Sequence, residues 1–193
     1  MRKLIVCNIV SLDGYYEGPD LNVMALPFDE AFDDYNAERL RAADTLLLGR
    51  VSFEGFKSYW PPVADRPDVR PVEREISRLN GAIDKVVVSD TLRQDHTAPW
   101  RNTRIVKRAQ AHDAIAQLKG QSGKEILVFG SRTLWNDLLV AGLVDELHLM
   151  IGAALLGEGT PVFEGRSPVP LRLLESSRLN GSSLVLARYA VRG

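Results

Sequence analysis

The chain has 193 residues, 45% of them hydrophobic and 25% charged, and its formal net charge is -1. These values are typical of a globular protein with an ordinary core, and we expect one domain over residues 1–193. The nearly balanced charge argues against nucleic acid and anionic membranes as partners, and a single cysteine, Cys7, excludes an intrachain disulfide.

The apolar stretches of the sequence are short. None approaches the ~20 residues that a membrane-spanning helix needs. The first of them, Leu4 to Val10, ends at Ser11 and is too short for the apolar region of a secretory signal. Cys7 lies inside that stretch, which predicts a buried thiol rather than a reactive nucleophile. We therefore expect a cytoplasmic protein without a membrane partner.

Apolar runs typical of buried strands alternate with helical patterns along most of the chain. The predicted strands are Leu4–Val10, Thr45–Leu48, Lys85–Val88, Arg104–Val106, Glu125–Phe129 and Val144–Ile151. The predicted helices are Asp29–Ala43, Val51–Tyr59, Val72–Asn80, Asp113–Lys119 and a helix from the N-cap Ser131 to about Val140. Gly81 is predicted to be the C′ cap of the third helix, and Pro61 to Pro71 is predicted to be a surface loop.

The end of the chain has a different pattern. Leu171 to Ser177 and Leu184 to Val191 flank Asn180-Gly181, a dipeptide typical of tight hairpins. An antiparallel hairpin therefore follows the alternating strands and helices. Together these patterns predict an α/β protein with a mostly parallel mixed sheet and a C-terminal antiparallel hairpin.

Two of the predicted strands end in glycine and lead directly into helices. The residues at these two corners are Gly49, Arg50 and Ser52, and Gly130, Ser131, Arg132 and Thr133. Glycine lets a phosphate approach the backbone, and a helix N-terminus offers unpaired N–H groups and a partial positive charge. Arginine and hydroxyl side chains would add hydrogen bonds. The pair of corners predicts the pyrophosphate site of a dinucleotide. The alternative is that each corner only turns the chain from strand to helix. No GxGxxG fingerprint is present.

Polar residues near other strand ends are further candidates. Ser89 follows the third strand and either bonds a ribose or its 2′-phosphate or belongs to a turn. Asp13, which precedes Gly14, either accepts hydrogen bonds from a polar substrate or forms a plain Asp-Gly turn. The acids Asp29, Asp33 and Asp34 begin the first helix; either one of them anchors a heterocycle or all are solvated.

The sequence lacks the motifs of several other enzyme classes. His96, His112 and His148 have no metal-ligand spacing, so no metal site is predicted. Neither a GxSxG elbow nor a Walker A loop is present, which argues against hydrolases and nucleotide kinases. His148 alternates with apolar neighbours and is predicted to be a partly exposed strand residue.

Short motifs in chain order resemble the dihydrofolate-reductase-like superfamily, and in particular stand-alone relatives of the reductase domain of riboflavin biosynthesis. The motifs are Ser11–Gly14, Leu46–Arg50 with Phe53–Phe56, Val86–Ser89, Leu127–Ser131 and Leu155–Pro161. Each motif is weak alone, but the ordered set covers almost the whole chain. The resemblance implies a dihydrofolate-reductase-like three-layer sandwich, an NADPH site and a homodimer.

The same resemblance implies roles for single residues. The corner at Gly49 would contact the cofactor phosphates, the corner at Gly130 would pack on the pyrophosphate and nicotinamide, and Asp13 would line the substrate cleft. Two positions depart from the relatives. Ser131 stands where dihydrofolate reductase has the second glycine of a pair, and an acid, Asp90, stands where a basic residue is usual.

From the resemblance we expect an NADPH-dependent reductase that delivers a hydride to a C=N or C=O bond of a small heterocycle of the pyrimidine or pterin type. Asp13, or an acid of the first helix such as Asp33, would supply the proton. The alternative is a nucleotide-binding or regulatory protein that kept the fold without catalysis.

Overall fold

The computed structural model of the protein describes residues 1–163, 165 and 169–191. Its strands are β1 Leu4–Val10, β2 Tyr15–Glu17, β3 Ala43–Gly49, β4 Asp84–Val88, β5 Thr103–Val106, β6 Glu125–Phe129, β7 Glu146–Ile151, β8 Thr160–Pro161, β9 Leu171–Arg178 and β10 Val185–Val191. Its α-helices are α1 Glu30–Ala42, α2 Arg50–Tyr59, α3 Pro71–Ala82, α4 Ala111–Gly120 and α5 Arg132–Val140. Among these residues, no helix combines the length and the apolar character that crossing a membrane requires.

Eight strands form one sheet in the order β5-β4-β3-β6-β1-β7-β10-β9. Neighbouring strands from β5 to β7 all pair in parallel, whereas β10 is antiparallel to both β7 and β9. The short strands β2 and β8 form a separate antiparallel pair. The predicted α/β class, with a mostly parallel mixed sheet and a C-terminal antiparallel hairpin, is confirmed.

Helices cover both faces of the sheet. Strand β1 is buried throughout and contributes alternate residues to two apolar clusters: Cys7 and Ile9 to one, Val6 and Val10 to the other. The first cluster includes side chains of α1, α2 and α3, and the second includes side chains of α4 and α5. Burial on both faces explains why the parallel strands read as continuous apolar runs. The layers are therefore helix, sheet and helix.

Two predictions about helix ends need correction. Gly81 is not a C′ cap, because α3 continues to Ala82 and the N–H of Ile83 still bonds the carbonyl of Leu79. Ser131 holds the N-cap position of α5, but its backbone is left-handed, with φ 55°, and its side chain does not cap the helix. A short 3-10 turn, Pro61–Asp65, also lies in the predicted surface loop.

The prediction that His148 is partly exposed is wrong. Its side chain is fully buried, because α1 covers this face of β7. The Nδ1 atom lies 2.7 Å from the Tyr35 hydroxyl, and Nε2 lies 2.9 Å from Glu146 Oε2. Lys3 Nζ lies 2.6 Å from the other carboxylate oxygen of Glu146, and Arg188 lies 3.5 Å from Oε2. A buried polar network thus joins β1, β7 and β10 to α1.

This network predicts that the protein loses stability in acid. Burial lowers the pKa of His148 below its ordinary value of 6.5, and the bond to Glu146 offsets only part of that effect. Burial opposes ionisation of Glu146, but hydrogen bonds from His148 and Lys3 outweigh it and hold its pKa at about 2. Since both folded-state pKa values lie below the unfolded ones, both contributions are present above the unfolded pKa and fade as the pH falls.

We expect the free energy of unfolding to decrease between about pH 7.5 and about pH 5.5, the range in which unfolded histidine takes up its proton. Urea unfolding at the two pH values would measure the decrease. The variant His148→Gln should show a smaller decrease over the same interval. An equal decrease in the variant would show that groups other than His148 cause it.

Strand β9 forms an open edge of the sheet. Leu171, Leu173 and Leu174 are 38%, 52% and 38% exposed, respectively. A long edge strand that carries apolar side chains is a common surface for association between chains. The homodimer implied by the resemblance stays a prediction.

Candidate active site

A cavity of about 1530 Å³ lies at the carboxyl ends of the central parallel strands. Asn8 of β1, Gly49 of β3, Val88 of β4 and Phe129 of β6 all line it. Open α/β sheets bind ligands in the crevice at this edge. Since pockets for a single small ligand measure roughly 300–1,000 Å³, this cavity has room for a dinucleotide and a second molecule.

The two glycine corners predicted from the sequence meet in this cavity. Strand β3 pairs in parallel with β6, so the corners lie side by side. The N–H of Gly49 donates to Ser131 Oγ at 3.0 Å, and the N–H of Ser131 donates to Ser52 Oγ at 2.8 Å. Each hydroxyl accepts one of these bonds, and the Ser52 hydroxyl also hydrogen-bonds the hydroxyl of Tyr16. The serines therefore join the corners and still face the cavity.

The corner at Gly130 requires a residue without a side chain. Its φ of +55° is left-handed, and a Cβ built there would lie 2.9 Å from Ser52 Oγ and 3.2 Å from the Tyr16 hydroxyl oxygen. The N–H of Gly130 donates to Asn8 Oδ1 at 2.8 Å, just beyond the last paired residues of β1 and β6. The result is a rigid backbone cradle that a ligand can approach closely.

Helices α2 and α5 direct their N-termini at the same cavity. Neither N-cap residue, Gly49 or Ser131, makes a side-chain cap bond, so the partial positive charge of each helix end faces the cavity. Arg50 lines the cavity and forms a 2.7 Å ion pair with Glu54 one turn along α2. The cavity is lined by every residue predicted at the two corners, namely Gly49, Arg50, Ser52, Gly130, Ser131, Arg132 and Thr133.

Ser89, the other predicted cofactor residue, is buried outside the lining of the cavity. Its Oγ accepts the N–H groups of Thr91 and Leu92, as expected for a turn residue. At this strand end the cavity is lined by Arg108, whose Nε lies 3.7 Å from an oxygen of Asp90. A role for Ser89 in binding a ribose or a 2′-phosphate stays a prediction.

Asp13 lies in the loop after β1 and is not among the described residues that line the cavity. Hydrogen bonds from the Ser11 hydroxyl and from the N–H groups of Gly157 and Leu156 lower its pKa to about 2. These bonds tie the loop after β1 to the loop before β8. A carboxylate with this pKa stays ionised at neutral pH and accepts the hydrogen bonds that link the two loops. Its catalytic role stays a prediction.

Asp33 lines the cavity from the first turn of α1. Burial raises the pKa of its carboxyl, and an ion pair with Arg70 at the start of α3 offsets part of that effect. The other two acids of this region behave differently. Asp29 is the N-cap of α1 and accepts the N–H of Phe32, while Asp34 is exposed and does not line the cavity.

Asn8, Tyr16 and Asn36 line the cavity and were not predicted from the sequence. Asn8 carried a usable signal, because it is a polar residue inside an apolar strand. Asn36 is likewise a buried polar residue of α1 and lies 3.6 Å from the Cys7 sulfur. Tyr16 follows the first turn; burial raises its pKa to about 12, so its hydroxyl remains protonated and can donate a hydrogen bond.

The chain matches the family model of the RibD C-terminal domain over residues 2–185. It belongs to that family. One relative is the uncharacterized protein YyaP of Bacillus subtilis, which is 34% identical over 165 residues, 84% of this chain and 80% of YyaP.

Two solved structures support the same fold. One is a protein of Shewanella sp. PV-4, provisionally described as a riboflavin biosynthesis protein, with 22% identity, a TM-score of 0.74 and 99% of each chain covered. The other is dihydrofolate reductase from Enterococcus faecalis, with 15% identity, a TM-score of 0.59 and coverage of 99% of this chain and 97% of the enzyme. The dihydrofolate-reductase-like fold predicted from the motifs is confirmed.

Proposed function

We propose that the protein is an NADPH-dependent reductase of a small heterocyclic substrate. The observation that carries the proposal is the pair of glycine corners, joined through Ser131 and Ser52 and facing one large cavity. The family of the RibD C-terminal domain supports it. So does the dihydrofolate reductase of the same fold, whose structure was solved with NADP(H).

The residues present fit such a cofactor. The cradle at Gly130 has no space for a Cβ. A flat or phosphorylated group can approach the backbone closely only where such a side chain is absent. Two helix N-termini and the guanidinium groups of Arg50 and Arg132 would hold the pyrophosphate. When bound, the reduced nicotinamide supplies a hydride to the carbon of a C=N or C=O bond, and the nitrogen or oxygen of that bond takes a proton.

Asp33 is our candidate for the group that supplies this proton. It lines the cavity, and burial raises the pKa of its carboxyl, which favours the protonated form that an acid requires. Tyr16 would orient the bound molecules by donating a hydrogen bond near Gly130. The apolar side chains around Asp33 would exclude water from the reacting atoms.

Titration with NADPH and NADH tests the proposal. We expect NADPH to bind and Arg50→Ala to weaken its binding by about tenfold, because one charge-assisted bond to phosphate is lost. The matched control is Arg93→Ala, since Arg93 also forms one local ion pair, with Asp95, but does not line the cavity. Failure of wild-type protein to bind either cofactor would overturn the reductase function, and equal weakening in both variants would exclude Arg50 from the site.

A further inference from the structure

The basic residues that line the cavity lie in one part of it. Among the described lining residues these are Arg50, Arg108, Arg132 and His112, and we call them the basic half. Arg50 and Arg132 begin α2 and α5 at the glycine corners, and the other two lie between β5 and the first turn of α4. The basic half therefore includes the two corners assigned above to the cofactor.

Another part of the cavity is apolar. We call it the apolar half, and it is formed by Leu26, Phe28, Phe32, Phe56, Trp60 and Ile76. Most of these side chains also belong to, or pack on, the apolar cluster between the sheet and α1, α2 and α3. Beside them Met24 and Phe28 are 74% and 37% exposed. This surface is typical of a site for a flat apolar molecule.

Anionic ligands are disfavoured in the apolar half. The titratable residue of its lining is Asp33, which offers a phosphate no positive charge whether its carboxyl is protonated or ionised. The nearest cation, Arg70, does not line the cavity and is held by three carboxylates, those of Asp33, Glu30 and Glu73. A phosphorylated sugar on the substrate would thus lose its water and meet no cation among the described residues.

Asn80 adds a specific polar group to this wall. It lies in the last turn of α3, is 1% exposed and lines the cavity. Its Nδ2 donates to the carbonyl of Ile76 at 3.0 Å, whereas its Oδ1 is buried and has no hydrogen-bond partner among the described residues. Buried acceptors in folded proteins are nearly always paired. An N–H group of a ligand would satisfy this one.

We propose, on the basis of the reductase function above, that the second molecule is an uncharged planar heteroaromatic compound without a phosphate group. A ring N–H or amino group of this compound donates to Asn80 Oδ1, and its ring packs on Phe32 and Phe56. The site thereby selects against phosphorylated forms of the same ring, because it offers the ring a hydrogen-bond acceptor, whereas the described residues of the apolar half offer a phosphate no cation.

The pair riboflavin and FMN tests the charge selection, since the two differ only in a phosphate. Flavin fluorescence would be titrated with the full-length protein at saturating NADP⁺, so that no reduction occurs. We expect riboflavin and the smaller lumiflavin to bind at least ten times more tightly than FMN. Equal or tighter binding of FMN would overturn the proposal, as would no binding of either uncharged flavin up to its solubility limit.

The acceptor is tested from both sides of the bond. Asn80→Leu keeps the side-chain volume and removes the oxygen, and we expect lumiflavin to bind it at least tenfold more weakly with NADP⁺ affinity unchanged. 3-Methyllumiflavin lacks the ring N–H, so we expect it to bind wild-type protein at least tenfold more weakly than lumiflavin does. This comparison uses the unaltered protein. Unchanged affinity in both experiments would exclude Asn80. If wild-type protein binds NADP⁺ but prefers FMN, only this inference is refuted. If wild-type protein binds no NADP⁺, the reductase function is refuted.

Discussion

Replacing Gly130 with alanine is expected to weaken NADPH binding by at least tenfold and to destabilise the fold by about 2 kcal/mol. A residue with a side chain at this left-handed φ costs roughly 1–2 kcal/mol. The new Cβ would also lie 2.9 Å from Ser52 Oγ, which accepts the N–H of Ser131, so the bond that joins the two corners would lengthen or break. Urea unfolding and a fluorescence titration with NADPH would measure the two effects.

The matched control is the same substitution at Gly81. This glycine lies inside α3, is exposed and has no atom within 4 Å of a built Cβ. Because alanine favours the helix, Gly81→Ala should raise the free energy of unfolding by about 0.5–1 kcal/mol and leave NADPH affinity unchanged. NADPH affinity of Gly130→Ala within twofold of wild type would show that the cofactor does not approach this corner.

Replacing Glu146 with alanine is expected to destabilise the protein by about 3 kcal/mol. The side chain is 7% exposed, and its carboxylate is shared by Lys3, Arg188 and the buried ring of His148. Removing one member of a buried charged network leaves the other members desolvated and unpaired, and this loss exceeds the energy of the pairs themselves. Chemical unfolding at neutral pH measures the change.

Glu175→Ala is the control for that experiment. Glu175 pairs with the same Arg188 at 2.8 Å, but its side chain is 46% exposed on the edge strand β9. Exposed ion pairs contribute roughly 0–1 kcal/mol, so this variant should remain close to wild type. Similar losses in the two variants would mean that burial of the network does not govern its contribution to stability.

The sequence alone predicted most elements of the fold and the two glycine corners that meet in the cavity. Buried parallel strands appear as unbroken apolar runs, as in Leu4 to Val10, and helices appear as patterns with the helical period. Both signals are local, because each can be recognised within a single strand or helix without knowing which elements pack against it. The corners at Gly49 and Gly130 were predictable for the same reason, since a strand that ends in glycine before a helix is a contiguous motif.

Predictions about single polar residues depended on distant neighbours and were less successful. His148 alternates with apolar residues and reads as a surface position, yet its partner Tyr35 lies 113 positions away in the helix that covers it. The hydrogen bonds of Asp13 were likewise not predictable, because its carboxylate accepts N–H groups from 143 and 144 positions along the chain; its role toward a substrate stays a prediction. No local pattern encodes such pairs.

The apolar and basic halves of the cavity were decided only by the tertiary structure. Parallel strands need long crossovers, so the residues that meet at one edge of the sheet come from separate segments of the chain. Asn8 meets Gly130 across 122 positions, and Asn80 lines the cavity that holds Asp33. By itself the sequence determined which segments form most of the strands and helices and which strands end in a glycine corner. The packing of α1 and α3 against the sheet determined which side chains share the second binding surface, because that depends on how separate elements pack and not on any one of them.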